Sequence, residues 1–131
     1  MTRIAVNESF KRGTVELLIL TLLDEEEKYG YQISQELAER SGGRYTLLES
    51  SMYPILYRML EKGLIADRTE LVGRRRTRVY YRIEPAGKEH LAFLRKEYAT
   101  LTHGVLNILG IGKVNFNQPK GMLYPTENPF A

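Results

Sequence analysis

Ser50-Ser51-Met52-Tyr53-Pro54-Ile55-Leu56-Tyr57-Arg58-Met59-Leu60 is the stretch from which the rest of the chain reads. Met52, Ile55, Leu56, Met59 and Leu60 recur at i, i+3, i+4, i+7 and i+8, the period of a helix with one buried face. Ser50 or Glu49 is the expected cap, and Gly63 stands at the C′ position, where a left-handed residue is wanted. Pro54 falls near the end of the first turn, where a missing N–H costs least. The opposite face is polar and aromatic, with Ser50, Ser51, Tyr53, Tyr57 and Arg58.

Downstream come two β segments, Leu64 to about Leu71 and Thr77 to Ile83. In the second, Val79, Tyr81 and Ile83 alternate with Arg78, Tyr80 and Arg82. Val72-Gly73-Arg74-Arg75-Arg76 between them reads as a hairpin with a basic tip. A further helix starts near Pro85, whose fixed φ suits a first helical position. It runs to about Leu109, roughly 37 Å at 1.5 Å per residue. Along it Leu91, Leu94, Tyr98, Leu101, Val105 and Ile108 are spaced 3, 4, 3, 4, 3, the a/d alternation of a coiled-coil seam. That seam predicts pairing with a second copy. After Gly110, Pro119, Pro125 and Pro129 argue against long regular structure.

Upstream, Thr14 is the expected N-cap of a first helix. Val15, Leu17, Leu18, Ile19, Leu20, Leu22 and Leu23 make that helix apolar on nearly every side, hence buried. Asp24-Glu25-Glu26-Glu27-Lys28 reads as its solvated end. A second helix is expected from about Tyr31 to Arg40, with Ile33 and Leu37 inward and Ser41-Gly42-Gly43 stopping it. Arg44-Tyr45-Thr46-Leu47 is short and β-prone.

Three short helices, a basic β-hairpin and a long helix follow the element order of a winged helix-turn-helix. The fold class is therefore mainly α with a small β-hairpin. It divides as a winged helix-turn-helix domain over 10–84, a dimerisation helix over 85–109 and a non-helical arm over 110–131. Net charge is only +3, from 19 basic and 16 acidic residues, yet Gly73 to Arg82 holds five arginines and no acid. A basic tip beside a hydroxyl-rich helix face suits double-stranded DNA, the helix entering a major groove and the tip lying on phosphates. Ser50, Ser51, Tyr53, Tyr57, Arg58, Arg74, Arg75, Arg76 and Arg78 are the candidate DNA-binding residues. The alternative for Tyr53 and Tyr57 is packing, for Tyr53 against the wing.

These residues also carry a family resemblance. Ser51 to Met59 followed by Gly63-Leu64-Ile65 resembles the recognition-helix signature of the PadR family. Arg12-Gly13-Thr14 with the leucine run, Tyr29-Gly30-Tyr31-Gln32-Ile33, Tyr80-Tyr81-Arg82-Ile83 and Ala86-Gly87 resemble its flanking segments, over about residues 10 to 109. Leu60 stands where the family usually has Glu, Ser50 replaces a usual Gly, and Glu84-Pro85 replaces a usual Thr-Glu. The resemblance implies a prokaryotic transcriptional regulator, commonly a homodimeric repressor joined through C-terminal helices. It also implies phenolic or lipophilic effectors for some members, for which Tyr29, Phe93 and Tyr98 are the candidate pocket.

Other classes find less support. Val15 to Leu23 is too short to span a bilayer, and the N-terminus lacks a signal-peptide apolar core. The expectation is a cytoplasmic protein with no membrane partner. No cysteine occurs, so there is no thiolate metal site, and no cofactor motif is present. His90 and His103 lie thirteen positions apart on one helix, ~220° around and roughly 20 Å along it, and cannot share a metal. Ser50-Ser51 has no base nearby in sequence and Gly42-Gly43 lacks a P-loop lysine, so no enzyme is expected, no catalytic residue and no metal. The alternative functions are a small-molecule sensor with its pocket at the dimer seam, and a protein-binding adaptor that reuses the winged fold.

Overall fold

The computed structural model describes residues 11 and 13–111; most of the 110–131 arm lies outside them. The chain divides into two compact units, Met1–Leu91 and Ala92–Ala131.

In the first unit α1 (Val15–Glu25) buries Leu17, Ile19, Leu20, Leu22 and Leu23, as its all-round apolar pattern requires. Thr14 precedes it without capping it through its side chain. The Thr14 hydroxyl instead donates to the Lys11 carbonyl at 2.6 Å and shares a 2.8 Å hydrogen bond with the Tyr45 hydroxyl. A short strand β1 (Lys28–Tyr29) leads into α2 (Gly30–Arg40), which buries Ile33 and Leu37. The Gln32 side chain reaches back to accept from the Tyr29 N–H at 3.4 Å, the reciprocal half of a capping box.

Arg44 to Leu47 is irregular rather than β. The Ser41 hydroxyl accepts from the Tyr45 N–H at 2.8 Å and holds the segment against the end of α2. The next helix, α3 (Glu49–Glu61), is preceded by Leu48, so neither Ser50 nor Glu49 is the cap. Pro54 is consequently the sixth residue, and the Ser50 carbonyl loses its i+4 donor on an exposed side of the helix. Met52, Leu56 and Met59 are fully buried, while Ile55 and Leu60 are half-buried. Gly63, at φ +74, ends the helix as expected.

Strands β2 (Ile65–Leu71) and β3 (Thr77–Ile83) form the hairpin, from Ile65 opposite Ile83 to Leu71 opposite Thr77. The sheet has a third member that sequence patterning does not reveal. β1 pairs antiparallel with β3, Lys28 opposite Tyr81 and Tyr29 opposite Tyr80, giving the order β1-β3-β2.

Asp24, Glu25 and Glu26 are exposed, as a solvated helix end should be, and each acid of the run is ion-paired. Asp24 meets Lys88 at 2.8 Å, Glu25 meets Arg40 at 2.8 Å, Glu26 meets Lys28 at 3.3 Å, and Glu27 meets Arg68. Lys28 itself is only 2 % exposed, with Glu36 at 3.2 Å as a second carboxylate. A lysine so deep must be paired, and here it is.

The last helix, α4 (Pro85–Leu109), begins in the first unit, where Gly87 and Leu91 are buried. Leu91 is 4 % exposed, which corrects its place in the seam: it serves the core of its own chain and offers a partner almost no surface. In the second unit the pattern is different. Leu94 is half-buried and Tyr98, Leu101, Val105 and Ile108 are exposed, Leu101 by 68 % and Ile108 by 87 %.

Candidate nucleic-acid interface

The buried side of α3 fixes what its other side presents. With Met52, Leu56 and Met59 held in the core, Ser50, Ser51, Tyr57 and Arg58 are exposed and Tyr53 is half-buried. The Tyr53 and Tyr57 rings lie 6.3 Å apart at 31°. Tyr53 packs on the start of α2. Its phenol rests against the Cα of Gly30, and any Cβ at Gly30 would strike the hydroxyl.

Between α3 and β3 lies a groove of about 580 Å³. Tyr53, Tyr57, Arg76 and Arg78 line it, so the structure brings these four expected residues together. Tyr29, Tyr31 and Tyr81 line it too. The aromatic pair flanking Gly30 at the start of α2 was the sequence signal for Tyr31. Burial pushes the Tyr53 hydroxyl above its ordinary value of 10.0 and that of Tyr81 to about 12. Both are protonated at neutral pH, which leaves them able to donate hydrogen bonds.

The five arginines of the wing are in three different states. Among the described residues Arg74, Arg75 and Arg76 have no acidic partner, and all three are exposed around the hairpin tip. Arg82 pairs with Glu84 at 3.5 Å. Arg78 is half-buried, its guanidinium 4.0 Å from the centroid of the Tyr29 ring. An exposed cluster of three uncompensated guanidiniums attracts polyanions strongly, because each contact releases condensed counterions.

Of the three aromatics expected to line an effector pocket, Tyr29 belongs to the sheet, edge-on to Tyr80 at 5.6 Å. Phe93 and Tyr98 are exposed on the second unit, by 57 % and 40 %. His90 lies 3.3 Å from Glu16, in a surface contact of the first unit. Among the described residues no cluster of His, Asp and Glu could hold a metal ion, and no helix is long and apolar enough to cross a membrane.

Comparison with known proteins agrees with this arrangement. Residues 19–93 match the transcriptional regulator PadR-like family. The chain is 33 % identical over 97 residues to the transcriptional regulator Rv3488 of Mycobacterium tuberculosis, covering 74 % of this chain and 87 % of that one. Among solved structures, a PadR family transcriptional regulator from Eggerthella lenta superposes with TM-score 0.70 at 28 % identity, covering 80 % of this chain and 89 % of that one. Bacillus subtilis PadR in complex with operator DNA superposes with TM-score 0.58 at 29 % identity, covering 63 % of this chain and 46 % of that one. The winged hairpin beside α3 and the match across most of the first unit thus have one explanation: the chain belongs to the PadR-like family of transcriptional regulators.

Proposed function

We propose that the protein is a dimeric, sequence-specific DNA-binding repressor that acts in the prokaryotic cytoplasm. α3 enters the major groove, where Ser50, Ser51, Tyr53, Tyr57 and Arg58 contact base edges and nearby phosphates. Arg74, Arg75 and Arg76 rest on the sugar-phosphate backbone. The observation that carries this reading is the uncompensated arginine tip beside the exposed hydroxyl and guanidinium face of α3. The operator complex of the Bacillus subtilis relative supports it.

Two copies join through Leu94, Tyr98, Leu101, Val105 and Ile108 and present two α3 helices to half-sites about one helical turn apart. A small aromatic or lipophilic effector binds beside Phe93 and Tyr98 at that seam and changes the spacing of the two helices, which releases the operator. The exposure of these two rings, in a stripe that is otherwise aliphatic, favours an aromatic ligand there.

The test is a footprint on the DNA upstream of the protein's own gene, followed by binding at several salt concentrations. A protected palindrome is expected. Replacing Arg74, Arg75 and Arg76 together by Ala should flatten the slope of log K against log salt by up to about 2.7, at about 0.9 per phosphate contact. An unchanged slope removes the wing from the interface.

A further inference from the structure

On the face of the sheet away from Tyr81, side chains form one continuous row across all three strands. Tyr29 of β1 stands opposite Tyr80 of β3, and Tyr80 stands opposite Arg68 of β2. The two rings meet edge to face, 5.6 Å apart at 78°. Arg68 covers Tyr80 with its guanidinium 4.6 Å from the centroid, and is itself held by Glu27 and, at 2.7 Å, by Glu70. At the other end Arg78 covers Tyr29 at 4.0 Å and reaches the Tyr80 hydroxyl at 3.5 Å. Both guanidiniums thus lie on aromatic rings, where a planar cation is held and partly desolvated.

The row reinforces a junction that the backbone makes only briefly. Glu27 follows α1, and Tyr29 immediately precedes Gly30, the first residue of α2. Between β1 and β3 the ladder has only two residue pairs, too few to set the angle of a hairpin by backbone bonds alone. Side chains must supply the rest.

We propose that Tyr29 and Arg78 are positioning residues that lock the wing against the helix-turn-helix, and that Arg78 acts through Tyr29 rather than on a phosphate. This rests on the DNA-binding reading above and divides the wing arginines by task. Arg74, Arg75 and Arg76 meet the backbone of the DNA, while Arg78 holds the hairpin at the angle that lets them do so.

The experiment is a double-mutant cycle on the full chain, with a fluorescent mixed-sequence duplex as probe. Affinity is measured over a salt series, at a temperature where circular dichroism shows every variant folded. Tyr29→Leu and Arg78→Gln are each expected to weaken binding roughly three- to tenfold, the size of a partly desolvated cation–π contact. The salt slope of each should stay at the wild-type value, and the double variant should bind no worse than the weaker single. Tyr29→Phe, which keeps the ring, should restore wild-type affinity. Arg78→Lys, which keeps the charge but loses the planar stack, should be as weak as Arg78→Gln.

An Arg78→Gln slope lower by about 0.9, with Tyr29→Leu unchanged, makes Arg78 a phosphate contact and overturns the proposal. Additive losses in the cycle, or an Arg78→Lys variant that binds like wild type, overturn it as well. Failure of the wild-type protein to bind any duplex overturns the DNA-binding reading, and this proposal with it.

Discussion

Gly87 sits where the first turn of α4 crosses the carbonyl of Leu64, and the reason for glycine is contact rather than φ. A Cβ there would overlap that carbonyl oxygen and press on the Ile83 side chain. The same carbonyl already accepts the Glu84 N–H at 2.9 Å, so it cannot yield without cost. Gly87→Ala is expected to lower stability by about 1–3 kcal/mol through overpacking, read as a lower urea midpoint at unchanged m-value. A wild-type midpoint would mean that α4 shifts without penalty. Single residues of this kind were only partly legible. Gly87 is one letter of a family motif, and nothing local says what it touches. Lys28 is harder still: it closes a charge run, and its burial follows from Glu36 arriving from α2. Tyr53 packs against Gly30 at the start of α2, a contact that no local pattern encodes.

The loop from α1 to β1 shows the same effect at the level of an element. Asp24 and Glu25, which close α1, and Glu27 of the loop each clasp a different part of the fold, α4 through Lys88, α2 through Arg40 and β2 through Arg68. The Arg40 hydrogen bond holds the Glu25 carboxyl below the usual 4.5, and the Arg68 hydrogen bond does so for Glu27. A carboxyl depressed in the folded state contributes its stabilisation in full above its unfolded-state pKa, and loses it as pH falls through the folded value. The melting temperature should therefore hold near neutral pH and drop as the pH falls below the ordinary carboxylate value of 4.5. A Glu25→Gln, Glu27→Gln double variant should start lower and drop less. Melting curves that fall in parallel would exclude these pairs as the acid-sensitive ones. The hairpin strands and α4 were legible from alternation, spacing and Pro85 because their signals are local. β1 was not, because two residues carry no period and its partner β3 lies some fifty positions on.

At the scale of the whole molecule, the outer part of α4 carries an exposed apolar stripe. Leu101 and Ile108 stay largely exposed, which a stable monomer seldom tolerates along one helix face. Leu101→Glu is expected to sediment as a monomer where the wild-type chain sediments as a dimer, and to lose cooperative binding to a palindrome. A variant that sediments like wild type would move the interface elsewhere. By itself the sequence determined the helices, the hairpin, the basic tip and the exposed side of α3, since each rests on periodicity, capping or charge within some twenty residues. Only the tertiary structure decided which charges are available. It returned Leu91 to the core, Lys28 to a buried pair and Arg78 to the Tyr29 ring, while leaving Arg74 to Arg76 uncompensated at the tip. The physical reason is that a side chain's partner is set by what long-range packing brings beside it, and no local pattern encodes that distance.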